Sequence, residues 1–123
     1  MTEAQKRKLV VMISRGIDDE RSSVALTIAN GGMTAGLEVA IFLTSNGVDL
    51  ARRGGVAATH VQPLEPLQAL VDDFLRRGGK LWACTPCAKA RGYEQKDLVE
   101  GAVIVGSSAM HEWILEGAAT LSF

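Results

Sequence analysis

The chain has 123 residues, of which 47% are hydrophobic and 22% are charged, values ordinary for a single globular domain. Its 13 basic and 14 acidic residues give a formal net charge of -1, which argues against a nucleic-acid-binding or anionic-membrane-binding protein. No apolar run reaches the roughly 18 residues that a membrane span requires, and the apolar segment near the start is too short for a signal peptide. We therefore expect one domain over residues 1–123, located in the cytoplasm.

Short apolar runs alternate with helical patterns along the chain. Buried strands are predicted at residues 9–14, 37–44, 80–84 and 102–106, and ATLSF is predicted as a last strand. Helices are predicted from Glu20, briefly at 48–52, over 65–79 with apolar residues at helical spacing, and after Ser107. This alternation favours parallel pairing with helices on both faces of the sheet. The predicted fold is an α/β domain, a three-layer α/β/α sandwich with a mainly parallel sheet of about five strands.

Both cysteines lie in the segment LWACTPCAKARGY. Cys84 is the last residue of a predicted strand, and ligands of open α/β sheets bind outside the carboxyl ends of the strands. Thr85 is predicted to cap a short helix whose first residue is Pro86. A helix start stabilises a thiolate, as would inward-turned Lys89 and Arg91 side chains, so the sequence predicts a lowered pKa for the Cys84 thiol.

The loops after the first two predicted strands should border the same edge of the sheet. Arg15, Asp18 and Asn46 lie in these loops and are candidates to line a pocket, together with Thr85, Pro86 and Arg91. Asp18 equally fits the role of a helix cap, and Arg15 and Asn46 also fit plain turn positions.

Other uses of two thiols remain open at this point. A lone C-x-x-C pair supplies half of a structural zinc site, and neither His60 nor His111 lies at a recognisable ligand spacing. We predict no metal and no other cofactor, although a metal shared between subunits stays possible from sequence. No proline follows the motif, which argues against a thioredoxin fold, but dithiol redox chemistry on another fold and two inert core thiols both remain. No Gly-rich phosphate-binding pattern follows a predicted strand.

The segment ACTPCAKARGY followed by DLVEGAVIVGS resembles the DsrE/DsrF-like family of small sulfur-relay proteins. The resemblance extends over nearly the whole chain and includes IFLTSNGVDLA and the Arg-Arg-Gly-Gly before the cysteine strand. It implies a parallel α/β/α domain, assembly into trimers or hexamers, and a strand-end cysteine that accepts sulfur as a persulfide. Cys84 is the matching residue. Cys87 has no counterpart in the best-understood relay members, though some relatives carry a paired cysteine.

The leading hypothesis is a cytoplasmic sulfur-handling protein in which Cys84 carries sulfane sulfur and Cys87 is a resolving or modulating thiol. Its expected partners are further copies of the chain and sulfur donors and acceptors, either proteins or small thiols. No nucleic acid or membrane partner is expected. The alternatives are a dithiol redox switch and a non-catalytic oligomeric scaffold, in which Trp82, Met110 and Trp113 serve as core or subunit interface. Whether the protein turns over as a sulfurtransferase is left open.

Overall fold

A computed structural model describes residues 6–123. The strands in this part of the chain are β1 (Lys8–Ile13), β2 (Glu38–Leu43), β3 (Lys80–Cys84), β4 (Ala102–Val105) and β5 (Ala119–Ser122). The α-helices are α1 (Glu20–Thr34), α2 (Leu67–Arg76), α3 (Thr85–Ala90) and α4 (Ser107–Leu115), and short 3-10 helices span Ser45–Ala51 and Gln95–Asp97. Within residues 6–123, no helix combines the length and the apolar character that a bilayer crossing requires.

All five strands form one sheet in the order β4-β3-β2-β1-β5. Every neighbouring pair is parallel, with Val11 opposite Ile41, Ile41 opposite Leu81 and Leu81 opposite Ala102. The remaining pair joins β1 to β5, so the last strand lies beside the first. The predicted α/β class and the mainly parallel sheet of about five strands are confirmed.

The strand order determines which helix covers which face. The chain steps from β1 to β2, β3 and β4 in one direction, and right-handed crossovers then put α1, α2 and α3 on the same face. The step from β4 back to β5 crosses the sheet in the opposite direction, which puts α4 on the other face. We call these the main face and the α4 face.

The two faces differ in how completely they are covered. The main face carries a large buried cluster that includes Ile41, Leu81 and Phe74. On the α4 face the buried cluster is small and consists of Val10, Ala40, Phe42 and Trp113. Trp113 of α4 meets Trp82 of β3 edge to face, with 5.4 Å between ring centroids. Val103, which pairs in register with Trp82, remains 47% exposed.

Most element boundaries shift by one or two residues from those predicted. The largest difference is the segment predicted as a short helix at 48–52, which begins at Ser45 and is a 3-10 helix through Ala51. Gly47 lies in this helix, where a side chain would overlap the carbonyl of Ile13. Gly78 follows the end of α2 with a φ of 89°, as its predicted capping role requires.

Candidate functional site

Three loops meet at the carboxyl edge of the sheet around the cysteine turn, which we define as residues 84–87. β3 ends at Cys84 and runs directly into α3. β2 is followed by the 3-10 helix that begins at Ser45, and β1 is followed by the loop at 14–19. Since all the strands are parallel, these loops lie at one edge, as predicted.

The cap of α3 differs from the prediction. Cys84 is itself the N-cap, with extended backbone dihedrals of φ -60° and ψ 127°, and its side chain makes no capping hydrogen bond. Thr85 and Pro86 are the first two helical residues, so the predicted capping role of Thr85 is wrong. Proline lacks an N–H, and the first turn of a helix has no intrahelical partners for its N–H groups. A proline is therefore tolerated at more than one position of that turn and does not determine which residue is the cap.

The predicted lowering of the Cys84 pKa is also wrong. Burial raises the pKa of this thiol, the nearby backbone N–H of Cys87 lowers it, and the nearby Cys87 thiol raises it again. The net direction is upward. Cys84 packs against the buried apolar cluster of the α4 face, and this environment disfavours a thiolate. The dipole of α3, which begins directly after Cys84, would lower the pKa, but this helix is only six residues long and too short to supply a strong dipole.

Cys87 lies on the other side of the sheet edge from Cys84. Its side chain packs against the main-face cluster, and its Sγ accepts a hydrogen bond from the backbone N–H of Ser45 at 3.2 Å. Ser45 has a φ of 51°, a left-handed conformation that is uncommon for a residue other than glycine. Both cysteines are free and half-buried. The two side chains thus pack with opposite faces of the sheet, and the Cys87 thiol influences the pKa of Cys84.

Arg91 and Asn46 are brought together beside the cysteine turn. The Arg91 Nη1 donates to the Cys87 carbonyl at 3.1 Å, and its Nη2 donates to the Asn46 Oδ1 at 2.7 Å. The guanidinium therefore turns inward, but onto the backbone of the turn rather than onto a sulfur atom. Lys89 is exposed.

Arg15 and Asp18 are less closely associated with the cysteines. Asp19 caps α1 in place of Asp18, with its Oδ1 accepting from the Arg21 N–H at 2.9 Å, and the Arg21 side chain lowers the pKa of the Asp19 carboxyl. The Arg15 Nε lies 3.9 Å from the same carboxylate. No hydrogen bond or ion pair within residues 6–123 joins Arg15 or Asp18 to either cysteine.

Each of the two histidines has a ring nitrogen in hydrogen-bond contact with a backbone carbonyl oxygen. A ring nitrogen of His60 lies 2.9 Å from the Leu64 oxygen, and one of His111 lies 2.9 Å from the Ser107 oxygen. In the part of the chain that the structure describes, no three His, Cys, Asp or Glu side chains form a group that would hold a metal ion.

Comparison with known proteins agrees with this fold. The profile of the DsrE/DsrF-like family matches residues 6–123. The chain belongs to this family. An uncharacterized protein of Methanopyrus kandleri is 31% identical over 114 residues, covering 93% of this chain and 91% of the relative. An uncharacterized protein of Methanocaldococcus jannaschii is 33% identical over 105 residues, covering 85% and 86%.

Two solved structures resemble this DsrE/DsrF-like chain in fold. The ychN protein from E. coli has a TM-score of 0.77 at 18% identity, covering 97% of this chain and 100% of that one. A protein of unknown function from Methanobacterium thermoautotrophicum has a TM-score of 0.76 at 21% identity, covering 96% and 100%. At these identities the likeness shows the fold. Membership of the DsrE/DsrF-like family points to a role related to sulfur relay.

Several residues near the DsrE-like cysteine turn were missed from sequence. Arg52, Arg53 and Tyr93 line a cavity next to Arg91, and the Tyr93 hydroxyl donates to the Asp49 carboxylate. The sequence features that could have indicated this cavity are the Arg-Arg pair at 52–53 and the Arg-Gly-Tyr segment at 91–93. These two segments are about 40 positions apart and come together only in the folded chain, through side-chain hydrogen bonds and the backbone bridge between Arg52 and Leu98.

Proposed function

We propose that this protein handles sulfur in the cytoplasm, carrying sulfane sulfur as a persulfide on Cys84 with Cys87 as a resolving or modulating thiol. The observation that carries the proposal is the position of Cys84 at the carboxyl end of β3, where it runs directly into the helix that contains Cys87. Family membership supports the same chemistry at the coarser level of sulfur relay.

The loading step is a thiol exchange that needs no external oxidant. The Cys84 thiolate attacks the outer sulfur of a donor persulfide, R–S–SH, and a new S–S bond forms on the cysteine. The donor S–S bond breaks, its electron pair leaves with R–S⁻, and the proton stays on the transferred sulfur. An acceptor thiolate then attacks the outer sulfur and restores the Cys84 thiolate. The Cys87 N–H is suited to stabilise negative charge on the Cys84 sulfur.

Cys87 gives the persulfide a second fate. Its thiolate can attack the inner sulfur of the Cys84 persulfide, which forms a Cys84–Cys87 disulfide and releases HS⁻. The hydrogen bond from the Ser45 N–H holds the Cys87 sulfur toward the main face and so restrains this attack. In the proposed pocket, Asn46 and Arg91 fix the turn from one side, while Thr85 and Pro86 begin the helix that follows Cys84. Arg15 and Asp18 remain candidates for the rim.

A dithiol switch is the second candidate function, and the spacing of the two cysteines, one at the end of β3 and one in the first turn of α3, favours it. In this case a disulfide or sulfane oxidant accepts two electrons, the two thiols lose two protons, and a Cys84–Cys87 bond forms. The switch predicts a loss of two hydrogens in mass and no added sulfur. The two functions therefore give different masses in the same experiment.

We also propose that the chain assembles with further copies of itself, as trimers or hexamers. The α4 face supports this, because one nine-residue helix leaves Val103 47% exposed and Trp82 only half-buried. Apolar side chains grouped on one face are typical of an interface between subunits. Sedimentation velocity tests the assembly: Val103→Lys should release smaller species, and an unchanged sedimentation coefficient would contradict an interface at this position.

The sulfur-carrier proposal is tested by intact mass after incubation with a persulfide donor such as glutathione persulfide. Wild type should gain the mass of one sulfur atom, and Cys84→Ser should gain none. Cys87→Ser should hold the added sulfur longer, because the route to the disulfide is removed. An adduct that persists in Cys84→Ser, or its absence from wild type, would overturn the proposal.

A further inference from the structure

A cationic cavity adjoins the cysteine turn. Its volume is about 380 Å³, at the lower end of the roughly 300–1,000 Å³ typical of small-molecule sites. The charged and polar side chains that line it are Arg52, Arg53, Arg91, Tyr93, Lys96 and Asp97. Four cations thus face one carboxylate in a chain whose formal net charge is -1. The positive charge is concentrated here and is not a property of the whole surface.

The three guanidinium groups keep donor capacity for a ligand. Among residues 6–123, none of Arg52, Arg53 and Arg91 lies within 4.0 Å of a carboxylate oxygen. Arg53 uses its Nε to donate to the Lys96 carbonyl at 2.9 Å, which fixes the side chain and leaves its two terminal nitrogens. A fixed guanidinium with free N–H groups is the preferred partner of a phosphate, sulfonate or carboxylate group.

The nearby acidic groups are engaged at the edges of the cavity. The Asp49 carboxylate accepts a hydrogen bond from the Tyr93 hydroxyl, and this contact raises the pKa of Tyr93. The charges of Arg52 and Arg91 act in the opposite direction and lower that pKa. The Asp97 Oδ2 accepts the Glu94 backbone N–H at 2.8 Å. The Glu94 carboxylate lies 3.3 Å from the ammonium of Lys96, in an exposed ion pair of little energetic weight. These contacts reduce the positive potential but leave the three arginines available.

The cavity is joined to the cysteine turn through Arg91. Its Nη1 donates to the Cys87 carbonyl and its Nη2 to Asn46, whose neighbour Ser45 donates its backbone N–H to the Cys87 sulfur. An anion held by Arg91 therefore lies one side chain away from the backbone of the turn. A ligand anchored in the cavity by its anionic group would have to extend past Arg91 to reach the thiols.

We propose that this cavity binds the anionic group of a small thiol or persulfide, which thereby presents its sulfur to the cysteine turn. The size of the cavity and its fixed guanidiniums favour a compact ligand with a phosphate, sulfonate or paired carboxylates over an acidic segment of a partner protein. The sulfur-bearing identity of the ligand rests on the proposed sulfur-carrier function. The anion site does not, because it is defined by the arginines alone.

Binding is tested without sulfur chemistry, using pyrophosphate as the probe in isothermal titration calorimetry. Wild type and Cys84→Ser should bind it equally, with affinity that falls as the salt concentration rises. Arg52→Gln and Arg53→Gln should each weaken binding about tenfold, the effect expected for losing one charge-assisted contact. Lys89→Gln is the matched control, because it removes the same charge from α3 at an exposed position outside the cavity lining.

An equal loss in Lys89→Gln would overturn the proposal, because binding would then follow net charge and not the cavity. Absence of pyrophosphate binding to folded wild type would overturn it as well. Stronger binding of a glutamate-rich peptide than of pyrophosphate, with the same dependence on the arginines, would instead identify an acidic protein partner and contradict a small-molecule site. Pyrophosphate binding with no sulfur adduct in the mass experiment would contradict the carrier function and still support the anion site.

Discussion

The main face and the α4 face of this sheet show two ways in which one chain covers apolar surface. Three crossover helices and a 3-10 helix cover the main face, and its cluster is closed from β4 to β1. One helix covers the α4 face, where Trp113 shields Phe42 and leaves Val103 in contact with solvent. The contrast follows from strand order alone, because a single reversed crossover contributes a single helix. A complete face stabilises the domain, and an incomplete one remains available for a partner.

The two cysteines divide along the same line. Cys84 packs with the lightly covered face and Cys87 with the closed one, although three positions separate them. The thiol on the α4 face has a raised pKa, mainly through burial. The thiol on the main face is held by a backbone hydrogen bond from a neighbouring loop. Two residues of one motif thus have different surroundings because a strand end separates their environments.

The largest expected effect distinguishes Leu81 from Val103, which lie on neighbouring strands and point to opposite faces. Leu81→Ala removes a side chain that is 1% exposed on the main face and should lower the free energy of unfolding by about 2–5 kcal/mol. Val103→Ala should lower it by less than about 0.5 kcal/mol in the separated chain. Urea unfolding across a dilution series measures both values.

A cost of Val103→Ala that grows with protein concentration would show that another copy covers the α4 face. Equal costs for the two variants at high dilution would contradict the difference between the faces, because Val103 would then be as well covered by its own chain as Leu81.

A second pair of variants replaces each of two glycines by alanine and compares the change in stability. A side chain at Gly47 would overlap the carbonyl of Ile13, so Gly47→Ala should cost about 1–3 kcal/mol through displacement of the 3-10 helix. Gly31 lies within α1 with open space around it, so Gly31→Ala should stabilise the protein by about 0.5–1 kcal/mol. Thermal unfolding monitored by circular dichroism gives both signs. A neutral Gly47→Ala would mean that the contact at the end of β1 is loose.

The smallest expected effect concerns the pKa of Cys84. Cys87→Ala removes the neighbouring thiol, which raises that pKa, and keeps the backbone N–H, which lowers it, so the pKa should fall. Iodoacetamide labelling of Cys84, followed by peptide mass analysis across a pH series, should show a midpoint at lower pH than in wild type. Lys89→Gln serves as the control and should leave the midpoint unchanged. A midpoint that moves upward would contradict the interaction between the two thiols.

The same shift has a defined sign for stability. The folded chain holds the Cys84 proton to higher pH than the unfolded chain does, since its pKa is raised. This group therefore contributes stability below the unfolded pKa, and the contribution is lost as the pH rises through the folded value.

The architecture was predictable from sequence because each strand is a short apolar run between helices of clear periodicity. The position of Cys84 at the carboxyl edge followed from this pattern and the structure bears it out. The pKa of Cys84 was not predictable, because it depends on burial against the α4-face cluster, whose strands and helix come together only in the folded chain. The roles of Arg52, Arg53 and Tyr93 were missed for the same reason. Local sequence patterns predict secondary-structure elements, whereas the electrostatic environment of a residue depends on contacts between distant parts of the chain.

The pairing of β5 with β1 also shapes how the chain is made. On the ribosome the first four strands emerge before α4 and β5, and they carry Phe42 and Trp82 on a face that has no helix of its own until residues 107–123 follow. An exposed apolar face during synthesis invites association with other chains. Residues 107–123 therefore complete the α4 face, and until they fold onto the sheet the aromatic side chains of that face stay open to other chains.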